Sequence, residues 1–86
     1  MYDKLDVEAI ALLDSISENV SKFRKEKGFS QLQLATEMGY SSASYFGRME
    51  IRKNDEHFNI IQLYKISKIL DIPIVSLFEP INKEDS

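Results

Sequence analysis

Apolar residues recur along most of the chain with the spacing of an α-helix. In the first stretch they alternate at intervals of four and three residues: Ala9, Leu13, Ile16, Val20 and Phe23. This spacing puts all five side chains on one stripe of a helix surface. No stretch of useful length alternates apolar and polar residues with period two, so the pattern predicts an all-α protein.

The bounds of the first helix follow from residues that begin and end helices. Gly28, preceded by two lysines, is a favourable C-terminus because cations stabilise the last turn and glycine adopts the conformation that ends a helix. Ser15 and Glu18 also form a capping-box pattern, which leaves a second interpretation open, with a break near Asp14. We favour one long helix over residues 3–27.

Four more helices are predicted downstream, which gives five in all. Capping boxes begin the second helix, at Ser30 and Gln33, and the fourth, at Asn59 and Gln62. Gly39 ends the second helix. A third helix is predicted from about Ser42 to Glu50, followed by a polar loop over residues 51–57. The last helix is short, has Pro73 in its first turn and runs through Phe78. The predicted inward-facing side chains are Leu32, Ala35, Met38, Phe46, Met49, Leu63, Ile66, Ile69 and Leu70.

Length and charge refine this picture. The chain of 86 residues provides one domain, residues 1–86, with no room for a second core, and its hydrophobic fraction of 43% is ordinary for a globular fold. The net charge of −3 argues mildly against nucleic acid, but residues 20–53 carry +4 between acidic flanks. Positive charge is therefore concentrated in the middle of the chain, although an acidic chain can contain a less acidic stretch without any function.

The most informative stretch is residues 30–50, SQLQLATEMGYSSASYFGRME. It predicts two short helices joined by a tight turn, an arrangement in which the second helix can enter a DNA major groove. Together with residues 23–31, Leu63 through Ile72 and Leu77-Phe78, this stretch resembles the Xre/Cro-like family of phage repressors and bacterial regulators over residues 16–78. The resemblance implies a five-helix bundle of the lambda-repressor-like DNA-binding type, here with an N-terminally extended first helix.

The resemblance also implies roles for individual residues. Gln31 matches a glutamine that meets the DNA backbone, and Arg24 and Glu50 match a partly buried ion pair between the first and third helices. The remaining positions match those that read base edges or grip the backbone in the family: Ser42, Ala43, Ser44, Tyr45, Arg48, Arg52, Lys53 and Asn54. Arg48 is the strongest candidate among them because arginine pairs well with guanine and with phosphate. Apart from the ion pair, each of these residues also has a purely structural interpretation as a solvated cap, loop or surface residue.

Three features depart from the family pattern. Gly39 and Glu50 are eleven positions apart, one more than the commonest spacing, so the register of the third helix is open by one residue. Gly47 lies inside that helix, where it costs roughly 1 kcal/mol against alanine; it either allows close approach to DNA or is tolerated. The loop at 51–57 is about two residues longer than usual and lacks the family's Asn-Gly.

The sequence thus predicts a sequence-specific DNA-binding transcriptional regulator, a repressor or an activator, that acts as a homodimer on an inverted repeat of double-stranded DNA. The N-terminal extension, residues 1–15, has more apolar residues than one buried face needs, and we expect it to help form the dimer. The alternative is a protein-interaction module on the same fold, such as an antitoxin or an adaptor. The overall acidity and the few arginines of the third helix favour that alternative.

Other classes of function are disfavoured. The chain has no cysteine, one histidine and no glycine-rich phosphate loop, so we expect neither catalysis nor a cofactor, metal or small-molecule ligand. No apolar run approaches the roughly 20 residues that span a membrane, and the chain does not start with a signal-peptide pattern. We therefore expect a cytoplasmic protein, and we expect residues 81–86 to form a flexible polar tail.

Overall fold

The regular structure is entirely helical. The computed structural model describes residues 3–80, and within this range it contains four α-helices: α1 (Lys4–Glu26), α2 (Gln31–Glu37), α3 (Ser44–Glu50) and α4 (Ile60–Leu70). Two short 3-10 helices, Lys53–Asp55 and Ile74–Phe78, lie before and after α4. The predicted all-α class is confirmed, whereas the tail predicted for residues 81–86 lies outside the described residues.

The first helix is one continuous element, as predicted. The Oδ1 atom of Asp3 accepts a hydrogen bond of 2.9 Å from the backbone N–H of Asp6, and the Asp6 side chain accepts one of 3.3 Å from the backbone N–H of Asp3. This reciprocal capping box begins α1, so Ser15 and Glu18 lie inside the helix rather than at a second start. Of the 23 residues of α1, the first six, residues 4–9, are all exposed.

The capping boxes predicted for α2 and α4 are both present. Ser30 Oγ accepts from the Gln33 N–H at 3.0 Å, and Gln33 Oε1 accepts from the Ser30 N–H at 2.7 Å. Asn59 and Gln62 make the same exchange, with both distances 2.8 Å. These local signals were reliable because each box depends only on residues three apart in the sequence.

Gly39 ends α2 and opens the turn to α3. Its φ of +93° is a left-handed conformation that favours glycine. The N–H of Gly39 donates to the carbonyl of Thr36 and the N–H of Tyr40 donates to the carbonyl of Ala35, both at 2.9 Å. These two bonds satisfy carbonyls that the end of a helix leaves free, and they reverse the chain toward α3.

The hydrophobic core lies where α1 packs against α3, α4 and the C-terminal 3-10 helix. Its buried members are Ile16, Val20, Leu34, Ala35, Met38, Phe46, Met49, Phe58, Leu63, Ile66, Leu70 and Leu77. One expectation was wrong. Leu32, which was predicted to face inward, is 53% exposed, because Leu34, Ala35 and Met38 already define the inward arc of α2. Ala9, near the start of α1, is also exposed.

Two further bounds differ from the expectation. The last predicted helix is a 3-10 helix, and Pro73 precedes it with ψ of 139° instead of lying in its first turn. The structure therefore has four α-helices rather than five within residues 3–80. In addition, α3 begins at Ser44, so Ser42 and Ala43 belong to the turn.

None of the helices in residues 3–80 is long and apolar enough to cross a membrane.

Candidate functional site

The third helix has one buried face and one outward face. Phe46 and Met49 are fully or almost fully buried and anchor α3 in the core. Because residues three and four apart share a helix face, Ser44, Tyr45 and Arg48 lie together on the opposite side, where Ser44 and Tyr45 are exposed and Arg48 is half-buried. This outward face contains three of the residues that the sequence analysis selects.

A buried ion pair fixes the end of α3 to α1. Arg24 Nε donates to Glu50 Oε2 at 2.7 Å, and Arg24 Nη2 donates to Glu50 Oε1 at 3.1 Å. Only 8% of the Arg24 side chain and 4% of the Glu50 side chain are exposed. Two parallel bonds between a planar guanidinium and a carboxylate set both the distance and the orientation of the helices. An ion pair between these two residues is what the family resemblance implies, although the pair is buried more deeply than expected.

Gln31 completes this network from the first turn of α2. Its Nε2 donates to Glu50 Oε1 at 3.1 Å, which joins α2 to the same carboxylate. A Cβ placed on Gly47 would lie 3.3 Å from Gln31 Oε1, closer than most contacts of that kind. Gly47 therefore gives room to the Gln31 side chain, a role within the protein that neither sequence interpretation of this glycine anticipated.

Arg48 lies between a carboxylate and an aromatic ring. Its Nε donates to Glu56 Oε2 at 3.2 Å, and its guanidinium carbon lies 5.5 Å from the centre of the Tyr45 ring. The Arg48 and Glu56 side chains are 39% and 36% exposed, so solvent reaches the pair. The strongest candidate from the sequence thus points to the outward face of α3, but a loop carboxylate already binds it.

Tyr45 is itself held from the turn. Its ring packs edge-on against Tyr40, with 5.4 Å between ring centres. The Tyr40 hydroxyl accepts a hydrogen bond of 2.7 Å from Gln62 Nε2 on α4. A line of contacts therefore runs from α4 through both tyrosines to Arg48, and it restricts the positions that the outward side chains of α3 can adopt.

Arg52 is engaged inside the protein. Its Nε donates to Asp14 Oδ1 at 3.0 Å, and its Nη1 donates to the backbone carbonyls of Asp55 and Glu56 at 2.9 and 3.3 Å. Only 9% of its side chain is exposed. The phosphate contact predicted for Arg52 does not fit this arrangement, because its donors already hold the loop against α1.

The other predicted residues lie next to α3 in the chain, before and after the helix. Lys53 and Asn54 are exposed in the loop that follows this helix, and Ser42 is exposed in the turn that precedes it. Ala43 is half-buried and caps α3 through its backbone only, since its carbonyl accepts from the Gly47 N–H at 2.8 Å. Ser42 therefore lies in the turn, Ala43 is the N-cap, and Ser44 is the first residue of α3.

The positive charge of residues 20–53 is divided between arginines that pair with carboxylates and lysines that are exposed. Arg24, Arg48 and Arg52 each pair with a carboxylate. The exposed cations are lysines instead, among them Lys25 and Lys27 at the end of α1, just before α2 begins. These two lysines were not predicted as site residues; the clustering of positive charge in residues 20–53 is the feature of the sequence that points to them.

Two results bear on other kinds of function. Within residues 3–80, no group of three or more His, Cys, Asp or Glu side chains could hold a metal ion. Comparison of the chain with models of known protein families and with curated proteins finds no match. Function is therefore inferred from the geometry of α2, the turn and α3.

Proposed function

We propose that this protein is a sequence-specific DNA-binding transcriptional regulator with a lambda-repressor-like fold, in which the C-terminal 3-10 helix Ile74–Phe78 takes the place of a fifth helix. α2 and α3 would form the helix-turn-helix, with α3 in the major groove and α2 across the backbone. Acting on bacterial DNA, the protein would work in the cytoplasm.

The observation that carries the proposal is the double attachment of α3. Its inner face is packed in the core, and its last residue, Glu50, is bound by Arg24 from α1 and by Gln31 from α2. None of these three hydrogen bonds uses the outward face, on which Ser44, Tyr45 and Arg48 lie. A rigid helix with a solvent-accessible polar face is what reading base edges requires, because each contact depends on a fixed position relative to the groove.

The exposed lysines are the second feature that supports DNA binding. Lys25 and Lys27 precede α2, and Lys53 follows α3, so cations flank the two helices on both sides in the chain. Phosphate contacts by such residues position a protein on DNA without reading its sequence. We assign backbone binding to these lysines and to Asn54, and base reading to Ser44, Arg48 and the adjoining turn residues Ser42 and Ala43, with Tyr45 at the border.

One α3 reads only a few base pairs, so we also propose a homodimer on an inverted repeat. The stripe of apolar residues on α1 continues past the core onto the first turns of the helix. There Leu5 and Leu12 are 72% and 46% exposed. An exposed apolar stripe of this kind is a candidate surface for a second copy of the chain.

A protein-binding role on the same fold is the second candidate. The observation in its favour is the pairing of Arg24, Arg48 and Arg52 with carboxylates, which leaves less free positive charge than DNA binding commonly uses. Ile60, Ile61 and Tyr64 also form an exposed apolar face on α4, with exposed fractions of 62%, 65% and 55%. An antitoxin or adaptor would use such a face to contact another protein.

Selection of fragments from a random DNA pool separates the two candidates. A DNA-binding regulator enriches an inverted repeat whose half-sites are about one helical turn apart. A protein-interaction module enriches no sequence, because it binds no DNA fragment in preference to the others. The matched control is Leu34→Asp, which places a charge at a fully buried position and which we expect to unfold the protein. Any enrichment that survives this change does not come from the helix-turn-helix.

A further inference from the structure

Glu56 is the carboxylate that faces the outward side of α3. It lies in the loop between the first 3-10 helix and α4, eight residues beyond Arg48, and its Oε2 accepts from Arg48 Nε at 3.2 Å. We propose that Glu56 competes with DNA for Arg48, so that the loop after α3 sets the affinity of DNA binding. This inference rests on the proposed function and adds Glu56 as a residue that weakens DNA binding.

The backbone that carries Glu56 is held in place. Arg52 donates to the carbonyls of Asp55 and Glu56, and the same guanidinium binds Asp14 on α1. Arg52, Asn54 and Asp55 all have φ between 55° and 61°, a left-handed conformation that is unfavourable for residues other than glycine. The contacts of Arg52 offset this strain, so Arg52 is a positioning residue for the Glu56 carboxylate.

The Arg48–Glu56 pair is accessible enough for DNA to replace Glu56 as the partner of Arg48. About a third or more of each side chain is exposed, whereas the Arg24–Glu50 pair is almost entirely buried. Exposed ion pairs contribute little to folding because water solvates both partners well. A phosphate oxygen or a guanine edge offers Arg48 the same kind of acceptor as the carboxylate does. DNA can therefore replace Glu56 at small cost.

Tyr45 keeps Arg48 on the outward face during this exchange. The guanidinium lies over the Tyr45 ring, and the ring packs on Tyr40. A cation above an aromatic face is attracted to it without using its hydrogen-bond donors. When Glu56 is displaced, the donors of Arg48 become free while its position is retained.

The test compares Glu56→Gln with Asp55→Asn by titration of the selected operator at low salt. Both variants remove one negative charge from the same loop, but Asp55 contributes only its backbone carbonyl to Arg52. We expect Glu56→Gln to bind the operator roughly two- to fivefold more tightly than Asp55→Asn, the range that an exposed ion pair provides. The difference should shrink at high salt, where exposed charges are screened.

An Arg48→Ala background completes the experiment. If Glu56 acts through Arg48, then Glu56→Gln and Asp55→Asn have equal effects once Arg48 is absent. Glu56→Ala serves as a second variant, and thermal unfolding verifies that all of them fold. Equal affinities of the two loop variants in the wild-type background would overturn the inference, as would weaker binding by Glu56→Gln, which would mean that Glu56 orients Arg48. Failure of the wild-type protein to select any DNA would instead overturn the proposed function.

Discussion

Arg24 Nε donates a hydrogen bond of 2.7 Å to Glu50 Oε2, and this contact joins α1 to the last residue of α3 across the interior of the protein. Arg24 Nη1 also donates to the carbonyl of Phe29 at 2.8 Å, so the same side chain fixes the connection between α1 and α2. A single arginine thus connects α1 both to α3 and to the segment between α1 and α2.

The first prediction concerns this pair. Glu50→Gln leaves the Arg24 charge buried without a counter-charge, and we expect it to lower the free energy of unfolding by about 3 kcal/mol or more. Urea denaturation followed by circular dichroism measures the loss. Replacing both residues by methionine removes the unpaired charge, so the double variant should recover more than half of the lost free energy of unfolding. A loss below about 1 kcal/mol for Glu50→Gln would contradict the structural role of the pair.

The second prediction concerns Gly47 and Gln31. Alanine favours a helix over glycine by about 1 kcal/mol, but the added Cβ at position 47 would lie 3.3 Å from Gln31 Oε1. We expect the two effects nearly to cancel in Gly47→Ala. In a Gln31→Ala background the crowding is absent, and the same substitution should stabilise the protein by about 1 kcal/mol. Chemical denaturation of the wild-type protein and the three variants gives the coupling energy directly; additive effects would show that the side chains at positions 31 and 47 do not interact.

The third prediction concerns the α1 extension. Leu12→Glu places a charge on the exposed apolar stripe, and we expect it to convert a dimer at micromolar concentration to a monomer. Sedimentation equilibrium measures the change. Leu32→Glu is the matched control, because Leu32 is comparably exposed, at 53%, but lies on α2. A wild-type protein that sediments as a monomer at this concentration, or two variants that behave alike, would rule out the extension as the interface.

The contacts that the sequence predicted well are local. Ser30 with Gln33, and Asn59 with Gln62, exchange hydrogen bonds over three residues, and such exchanges depend little on the rest of the fold. Gly28, with φ of +79°, ends α1 for an equally local reason. The Arg24–Glu50 pair spans 26 positions, and the resemblance to a family rather than any spacing rule pointed to it.

The contacts that the sequence analysis missed are long-range or depend on how loops close. Arg52 and Asp14 are 38 positions apart, and nothing in their surroundings in the sequence links them. Asn19 was not expected in the interior, yet it is 3% exposed and its Nδ2 donates to the carbonyls of Leu77 and Glu79. Both contacts follow from the angle at which elements pack, which hydrophobic periodicity does not specify.

The salt dependence of DNA binding, compared for wild-type protein, Arg48→Ala and Lys65→Ala, tests the central claim most directly. Lys65 is an exposed cation on α4, so its removal changes the net charge equally without touching α3. Because each neutralised phosphate releases counterions, we predict that the logarithm of the wild-type affinity falls with the logarithm of salt with a slope of roughly −3 or steeper.

We further predict that Arg48→Ala weakens operator binding by about 1–3 kcal/mol per half-site while Lys65→Ala has little effect. A shallow salt dependence, with equal and small effects of the two substitutions, would contradict DNA binding through α3 and would favour a protein partner.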